Sequence, residues 1–324
     1  MLQALVWVSG GLALLVVAAE MIVRGGSAIA ARLGISPLII GLTFVALGTS
    51  APELGVGIEA ALEGEGSIAV GNIAGTNTVN ILLILGLSAA LRPLAIHVQT
   101  LRLELPAILL ASLALFGLAQ DGLLSRTDGL ALLGFGILFT GLVVRAATKE
   151  SFVVKRAFAR GLGLARLTGV SGRAAGEALM LAAGIAVIVI AANIFVDGAV
   201  ALARLWQVSD AFIGLTVVAI GTSAPELVTT IVSTLRNDRD IAVGNLIGSS
   251  VYNIVIILAV TCIVPARPLP VEDVLVWIDI PVMIAVAMAC VPVFYSGRQV
   301  SRTEGALFVA AYLGYLTYLI GTRT

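Results

Sequence analysis

Glu53 and Glu226 lie 173 positions apart, and each sits in the same seven-residue setting, GTSAPEL, at 48–54 and 221–227. The wider match runs from Gly41 to Leu54 and from Gly214 to Leu227, in apolar stretches long enough to cross a bilayer. A charge at the membrane centre costs about 2.5–3.5 kcal/mol even on the lenient insertion scale. A chain that accepts this cost twice, in one repeated setting, does so to hold a cation. Each copy adds two hydroxyls, Thr49 and Ser50 in the first and Thr222 and Ser223 in the second. Pro52 and Pro225 have no N–H and clash with the carbonyl four residues back, so the helix is expected to break beside Gly48 and Gly221. The carbonyls freed there are tolerated at membrane depth only against protein or a water-filled cavity.

Every donor in this set is oxygen, with no cysteine or histidine beside it. Such a set suits Ca²⁺, Na⁺ or Mg²⁺ and argues against Zn²⁺ or Cu²⁺. Two carboxylates match one Ca²⁺ in charge, whereas Mg²⁺ gives up water reluctantly and demands a tighter octahedron. A second repeated element follows, GNIAGTNTVN at 71–80 and GNLIGSSVYN at 244–253. Thr76 and Asn80 are four apart on one helical face, as are Ser249 and Asn253. Each pair offers a hydroxyl and an amide oxygen, while Gly71, Gly75, Gly244 and Gly248 permit close helix approach.

These groups must be positioned by membrane helices. Hydrophobic residues make up 59% of the 324 positions and charged residues 12%. So few charges cannot cover a water-soluble surface, and the chain is read as an all-α polytopic membrane protein. Runs of roughly 20 apolar residues, the length that crosses the hydrocarbon core, are expected at 3–23, 36–62, 67–91, 102–120, 127–146, 176–203, 211–235, 240–265, 274–294 and 303–321. The first is taken as a retained span, since no basic segment or small-residue cleavage site precedes Arg24.

One offset of 173 carries Glu53 to Glu226, Gly71-Asn72 to Gly244-Asn245 and Asn80 to Asn253, over about 46 residues of which roughly half are identical. Weaker matches carry Gly11 to Gly184 and, after a two-residue slip, Glu104-Leu105-Pro106 to Asp279-Ile280-Pro281. The chain is therefore divided into a first five-helix repeat at 1–146, a basic linker at 147–175 and a second repeat at 176–324. Five spans per half is an odd number, so the halves must face opposite ways. Inverted repeats with broken helices at the ion site belong to alternating-access secondary transporters.

Lysine and arginine orient the chain. Arg145, Lys149, Lys155, Arg156, Arg160, Arg166 and Arg173 cluster around the central connector, which is expected to be cytoplasmic. Alternate connectors then divide the basic residues 15 to 4, with only Arg126, Arg204, Arg267 and Arg323 outside. Both termini are expected to be extracytoplasmic. Net charge is zero, so nothing points to nucleic acid. Cys262 and Cys290 fall in apolar segments and are read as buried free thiols. Glu177 and Asp197 are expected to be solvated near span ends, and Glu20, Glu104 and Asp279 to make structural hydrogen bonds. His97, the one histidine, is expected at the surface of a connector.

Paired GTSxPE motifs, each followed by a GNxxGxNxxN-like helix, resemble the cation/Ca²⁺ antiporter superfamily, specifically its prokaryotic Na⁺/Ca²⁺ exchangers. The resemblance implies four cation sites where three Na⁺ and one Ca²⁺ compete and are exchanged with net charge movement. Its ligands fall on the Ala46 carbonyl, Thr49, Ser50, Glu53, Thr76 and Asn80, and on the Ala219 carbonyl, Thr222, Ser223, Glu226, Ser249 and Asn253. Glu53 and Glu226 would be the shared Ca²⁺ ligands, and the first and sixth spans a sliding gate. No cofactor and no obligatory protein partner are expected.

Three departures bear on this. Asn253 stands where K⁺-dependent members carry an aspartate, which argues against K⁺ coupling. Gly75-Thr76-Asn77 keeps the usual hydroxyl, whereas Ser249-Ser250 lacks the usual second amide. Ala74 and Ile247 lie where the H⁺/Ca²⁺ branch carries a glutamate, so proton coupling is the weaker reading. The alternatives are an H⁺-coupled Ca²⁺ antiporter or an exporter of another divalent cation such as Mg²⁺. A channel would need no counter-ion, and no nucleotide loop or nucleophile–base pair supports an enzyme.

Overall fold

Wherever the expected spans fall within residues 1–148, 171–206 and 219–323, the residues described by the computed structural model, they are essentially helical. The helices are α1 (Leu2–Leu33), α2 (Pro37–Thr49), α3 (Ala51–Glu63), α4 (Gly66–Leu91), α5 (Thr100–Asp121), α6 (Arg126–Thr148), α7 (Ser171–Leu205), α8 (Ala219–Thr222), α9 (Ala224–Leu235), α10 (Arg239–Ile263), α11 (Leu275–Tyr295) and α12 (Arg302–Arg323). Among the described residues eight are long and apolar enough to cross a membrane, and α2 with α3 meets the same length and hydropathy only when the two are taken together. Most of the expected basic linker and the start of the expected span at 211–235 lie outside the described residues. The chain gathers into two compact units, one of Met1–Thr49, Arg145–Asn245 and Ala310–Thr324, the other of Ser50–Val144 and Leu246–Val309. Each unit thus draws on both halves of the sequence.

The first unit is built on α1 against α7. A Cβ at Gly11 would lie 2.7 Å from the Phe195 nitrogen, and one at Gly25 2.9 Å from the Leu181 nitrogen. Reciprocally, Gly184 meets Ile22 and Gly198 meets Val8, each at 2.8–3.1 Å. Partner numbers fall as positions rise, so the helices are antiparallel. The offset of 173 converts the Gly11–Phe195 contact into Gly184–Ile22, and Gly25–Leu181 into Gly198–Val8. Two copies of one sequence element, packed antiparallel through exchanged contacts, are an inverted repeat. Glycines supply the close approach because apolar helices in lipid associate by packing rather than by expelling water. Leu15, Ala18, Ile22, Ile188 and Ala191 fill the seam.

α1 continues well beyond the expected 3–23 and ends at Gly34, in the left-handed region at φ 65°. Its charged last turns are paired. Glu20 accepts from Arg24 at 2.5 Å, one helical turn on, and from Arg236 at the end of α9. Arg32 forms a two-pronged ion pair with Glu177 of α7, at 2.8 and 2.9 Å. Glu177 is therefore not the solvated span-end residue expected: a fixed guanidinium fork one helix away compensates its charge. Asp197 is exposed, as expected. α2 packs on the first turns of α10, where a Cβ at Gly244 would lie 2.5 Å from the Leu38 carbonyl and one at Gly41 2.9 Å from that of Ile241.

In the second unit the duplication surfaces as paired loops. β1 (Leu94–Ala95) pairs antiparallel with β4 (Gln299–Val300), and β2 (Leu123–Leu124) with β3 (Leu269–Pro270). The registers Leu94↔Val300 and Leu124↔Leu269 correspond once the offset grows along the chain, with Leu94 answering to Leu269 at 175 and Leu124 to Val300 at 176. Beside them SRTDG at 125–129 recurs as SRTEG at 301–305, a match the sequence reading missed. Ser125 and Asp128 form a capping box at the start of α6, and Ser301 and Glu304 the same at α12. Arg126 donates to the Pro265 and Val264 carbonyls, as Arg302 does to Leu91. Glu104 is buried and accepts from Gln99 at 2.9 Å, while His97 is half-buried rather than at the surface. Cys262 and Cys290 are buried and free.

Candidate cation site

The two GTSAPEL segments adopt one local conformation. Ser50 has φ −82° and ψ 11°, and Ser223 has φ −84° and ψ 7°. In both, α-helical geometry stops at the serine and restarts at the alanine before the proline, so Pro52 and Pro225 occupy first-turn positions that need no N–H. The break therefore falls two residues after Gly48 and Gly221, where it was expected. Leu54 and Leu227 donate to the Ser50 and Ser223 carbonyls at 3.3 and 3.0 Å, which restarts the ladder. Glu53 and Glu226 then lie in the first turns of α3 and α9, both fully buried. The positive end of each helix favours a carboxylate there.

In the first unit, Thr49 closes α2 and is fully buried. Its hydroxyl lies 3.3 Å from the Ala46 carbonyl and 3.1 Å from Asn245 Oδ1. The Asn245 amide group in turn donates to Thr230 Oγ1 at 3.3 Å. Thr49, Asn245, Thr230 and Glu226 therefore belong to one compact unit, with Asn245 bridging the two hydroxyls. Ala219 opens α8, Thr222 closes it half-buried, and Ser223 Oγ is buried without a hydrogen-bond partner.

In the second unit, Ser50, Glu53, Thr76, Asn80, Ser249 and Asn253 are all buried. Thr76 and Asn80 do not share a regular α-helix: α4 turns from α to π geometry at Val79–Leu85, and α10 does so at Asn253–Leu258. π turns inside α-helices are rare and concentrate at functional sites. Two further π turns open α5 and α11 and end on Glu104 and Asp279, at Thr100–Glu104 and Leu275–Asp279. Asn77 is fully buried and ties α4 to α10, donating to the Ser250 carbonyl at 2.9 Å and accepting from the Asn253 amide at 3.1 Å.

Asn77, Asn245 and Thr230 were not assigned roles from sequence. Asn245 belongs to the repeated Gly-Asn pair, so the offset itself was a usable signal. Asn77 and Thr230 face Ser250 and Gly57 under the same offset and leave no trace in a search for symmetry. Among the described residues no cluster of three or more His, Cys, Asp or Glu could hold a metal.

Apolar helices carrying a duplicated, buried, carboxylate-bearing break define a multi-pass membrane transporter. The profile of the family described as sodium/calcium exchanger protein matches residues 3–145 and 177–321. Inner membrane protein YrbG of Escherichia coli is 36% identical over 95% of this chain and 94% of its own length. Sodium/calcium exchanger MaX1 of Methanosarcina acetivorans is 31% identical over 95% and 96%. The solved sodium-calcium exchanger NCX_Mj superposes with a TM-score of 0.83 at 28% identity, covering 100% of this chain and 99% of that one. The chain belongs to the sodium/calcium exchanger family.

Proposed function

We propose that this protein exchanges Na⁺ for Ca²⁺ across the membrane by alternating access, with net charge movement. The observation that carries the reading is the matched burial of Glu53 and Glu226, each in the first turn after an equivalent helix break. Two buried carboxylates are neutralised by one Ca²⁺, or by Na⁺ ions sharing the same oxygens. The Thr49, Ser50, Thr222 and Ser223 hydroxyls, the Ala46 and Ala219 carbonyls, and Thr76, Asn80, Ser249 and Asn253 supply the neutral remainder. Oxygen donors of this kind replace a hard cation's water. Competition between the ions for one set of carboxylates couples their fluxes, because an ion bound there excludes the other from the same oxygens.

The repeats at 1–146 and 176–324 with the linker at 147–175 are the two inverted halves of this reading. The central basic connector faces the cytoplasm and both termini lie on the far side, as the 15 to 4 division of basic residues favours. The test is ⁴⁵Ca²⁺ flux into proteoliposomes with Na⁺, K⁺ and pH gradients varied independently. Uptake should follow the Na⁺ gradient and respond to membrane potential. Flux that follows the pH gradient and ignores Na⁺ would replace this reading with proton coupling.

A further inference from the structure

Under the offset of 173, position 77 corresponds to 250 and position 80 to 253, and all four residues lie in the second unit. Asn77 and Ser250 meet directly, Asn77 Nδ2 donating to the Ser250 carbonyl at 2.9 Å. A backbone carbonyl only accepts, so this bond fixes which end of the Asn77 amide is which. Asn77 Oδ1 then accepts from Asn253 Nδ2 at 3.1 Å, which in turn fixes Asn253. The Oδ1 of Asn253 is left buried with no hydrogen-bond partner. The image of this contact would run from Asn80 to residue 250. Ser250 does not complete it: its short side chain is turned to the Leu246 carbonyl, to which the hydroxyl donates at 2.9 Å. Asn80 accordingly has both amide atoms buried without a hydrogen-bond partner.

We propose that Asn77 is a positioning residue that breaks the symmetry of the repeat, locking Asn253 as a fixed carbonyl ligand while Asn80 stays free to turn. The proposal rests on the assignment of Asn80 and Asn253 as cation ligands. It also accounts for the lone amide of the 77/250 pair: a single amide suffices to anchor one partner, and its absence at 250 is what releases the other. It further explains why position 253 carries an amide. An aspartate there could not donate to Asn77 Oδ1, and turning Asn77 to meet the aspartate would set its oxygen against the Ser250 carbonyl.

The test is a double-mutant cycle on Ca²⁺ affinity, read both as ⁴⁵Ca²⁺ flux and as Ca²⁺-dependent thermal stabilisation in detergent. Asn77→Ser should weaken Ca²⁺ binding about tenfold, the effect of one lost buried hydrogen bond. Asn253→Ala should then cost less in the Asn77→Ser background than in the wild type, whereas Asn80→Ala should cost the same with or without Asn77. Asn253→Asp should be better tolerated once Asn77 is serine. The exchanged variant Asn77→Ser with Ser250→Asn should fold and transfer the coupling from Asn253 to Asn80, and it carries the test if Asn77→Ser alone does not fold. Additive effects at 77 and 253, or equal coupling at 80, overturn the proposal while leaving the exchange function standing. A wild-type protein that responds to no cation overturns both.

Discussion

α3 and α9 begin alike and then diverge. Their entering serines share φ and ψ to within a few degrees, and Glu53 and Glu226 are equally buried. One turn later α3 carries Val56, Gly57, Ala60 and Ala61, where α9 carries Thr229, Thr230, Ser233 and Thr234, all four fully buried. Beyond the helices, Glu65 is exposed whereas its counterpart Asp238 is half-buried. The turn that carries the carboxylate is identical in the two copies, while the rest of each helix differs with its own neighbours. Gly57 is pressed against Thr261, whereas Thr230 accepts from Asn245. The duplicated turn is held by chemistry, and the flanking turns are set by local packing.

The largest effects should fall where the helices agree. Glu53→Gln and Glu226→Gln should each abolish Na⁺-driven ⁴⁵Ca²⁺ uptake, with membrane insertion intact. Loss in one and full transport in the other would break the equivalence. Where the helices differ, exchanged residues should be tolerated unequally. A Cβ at Gly57 would lie 2.7 Å from Thr261 Oγ1, so Gly57→Thr should cost about 1–3 kcal/mol in detergent melting. Thr230→Ala removes the acceptor for the buried Asn245 amide and should cost about 1–2 kcal/mol.

The smallest effect concerns the helix ends. Burial raises the Asp238 carboxyl above its ordinary 3.8, only partly offset by Ser27 and Arg236. With the folded value raised, its contribution to stability is complete below the ordinary range and is lost as pH rises through the raised value. Asp238→Asn should therefore raise the melting temperature at neutral pH, with the gain fading in acid. Glu65→Gln is the exposed control. A gain for Asp238→Asn that is constant with pH would remove the burial argument.

Much of this was legible before any coordinates. Buried charge in duplicate singled out the turns that the structure breaks at Ser50 and Ser223, and an odd number of spans per repeat implied the inversion that α1 and α7 display. What escaped were features without a periodic or symmetric signal. The π turns at Val79–Leu85 and Asn253–Leu258 have no compositional mark. Asn77, Asn245 and Thr230 act through partners distant in sequence, and two of the three stand where the repeat is broken. Glu177 looked solvated because its partner, Arg32, lies on a helix that outran its apolar core by the turns needed to reach it. Symmetry in a sequence thus marks what both halves must do, and departures from it show only once the neighbours are in place.

The proposed function requires both duplicated carboxylates for Ca²⁺ binding. Isothermal titration of Ca²⁺ into detergent-solubilised protein without Na⁺ tests it most directly, with Glu53→Gln and Glu226→Gln measured beside the wild type. The account predicts saturable binding of one Ca²⁺ to the wild type and its loss in both variants. Wild-type affinity in either variant would contradict it.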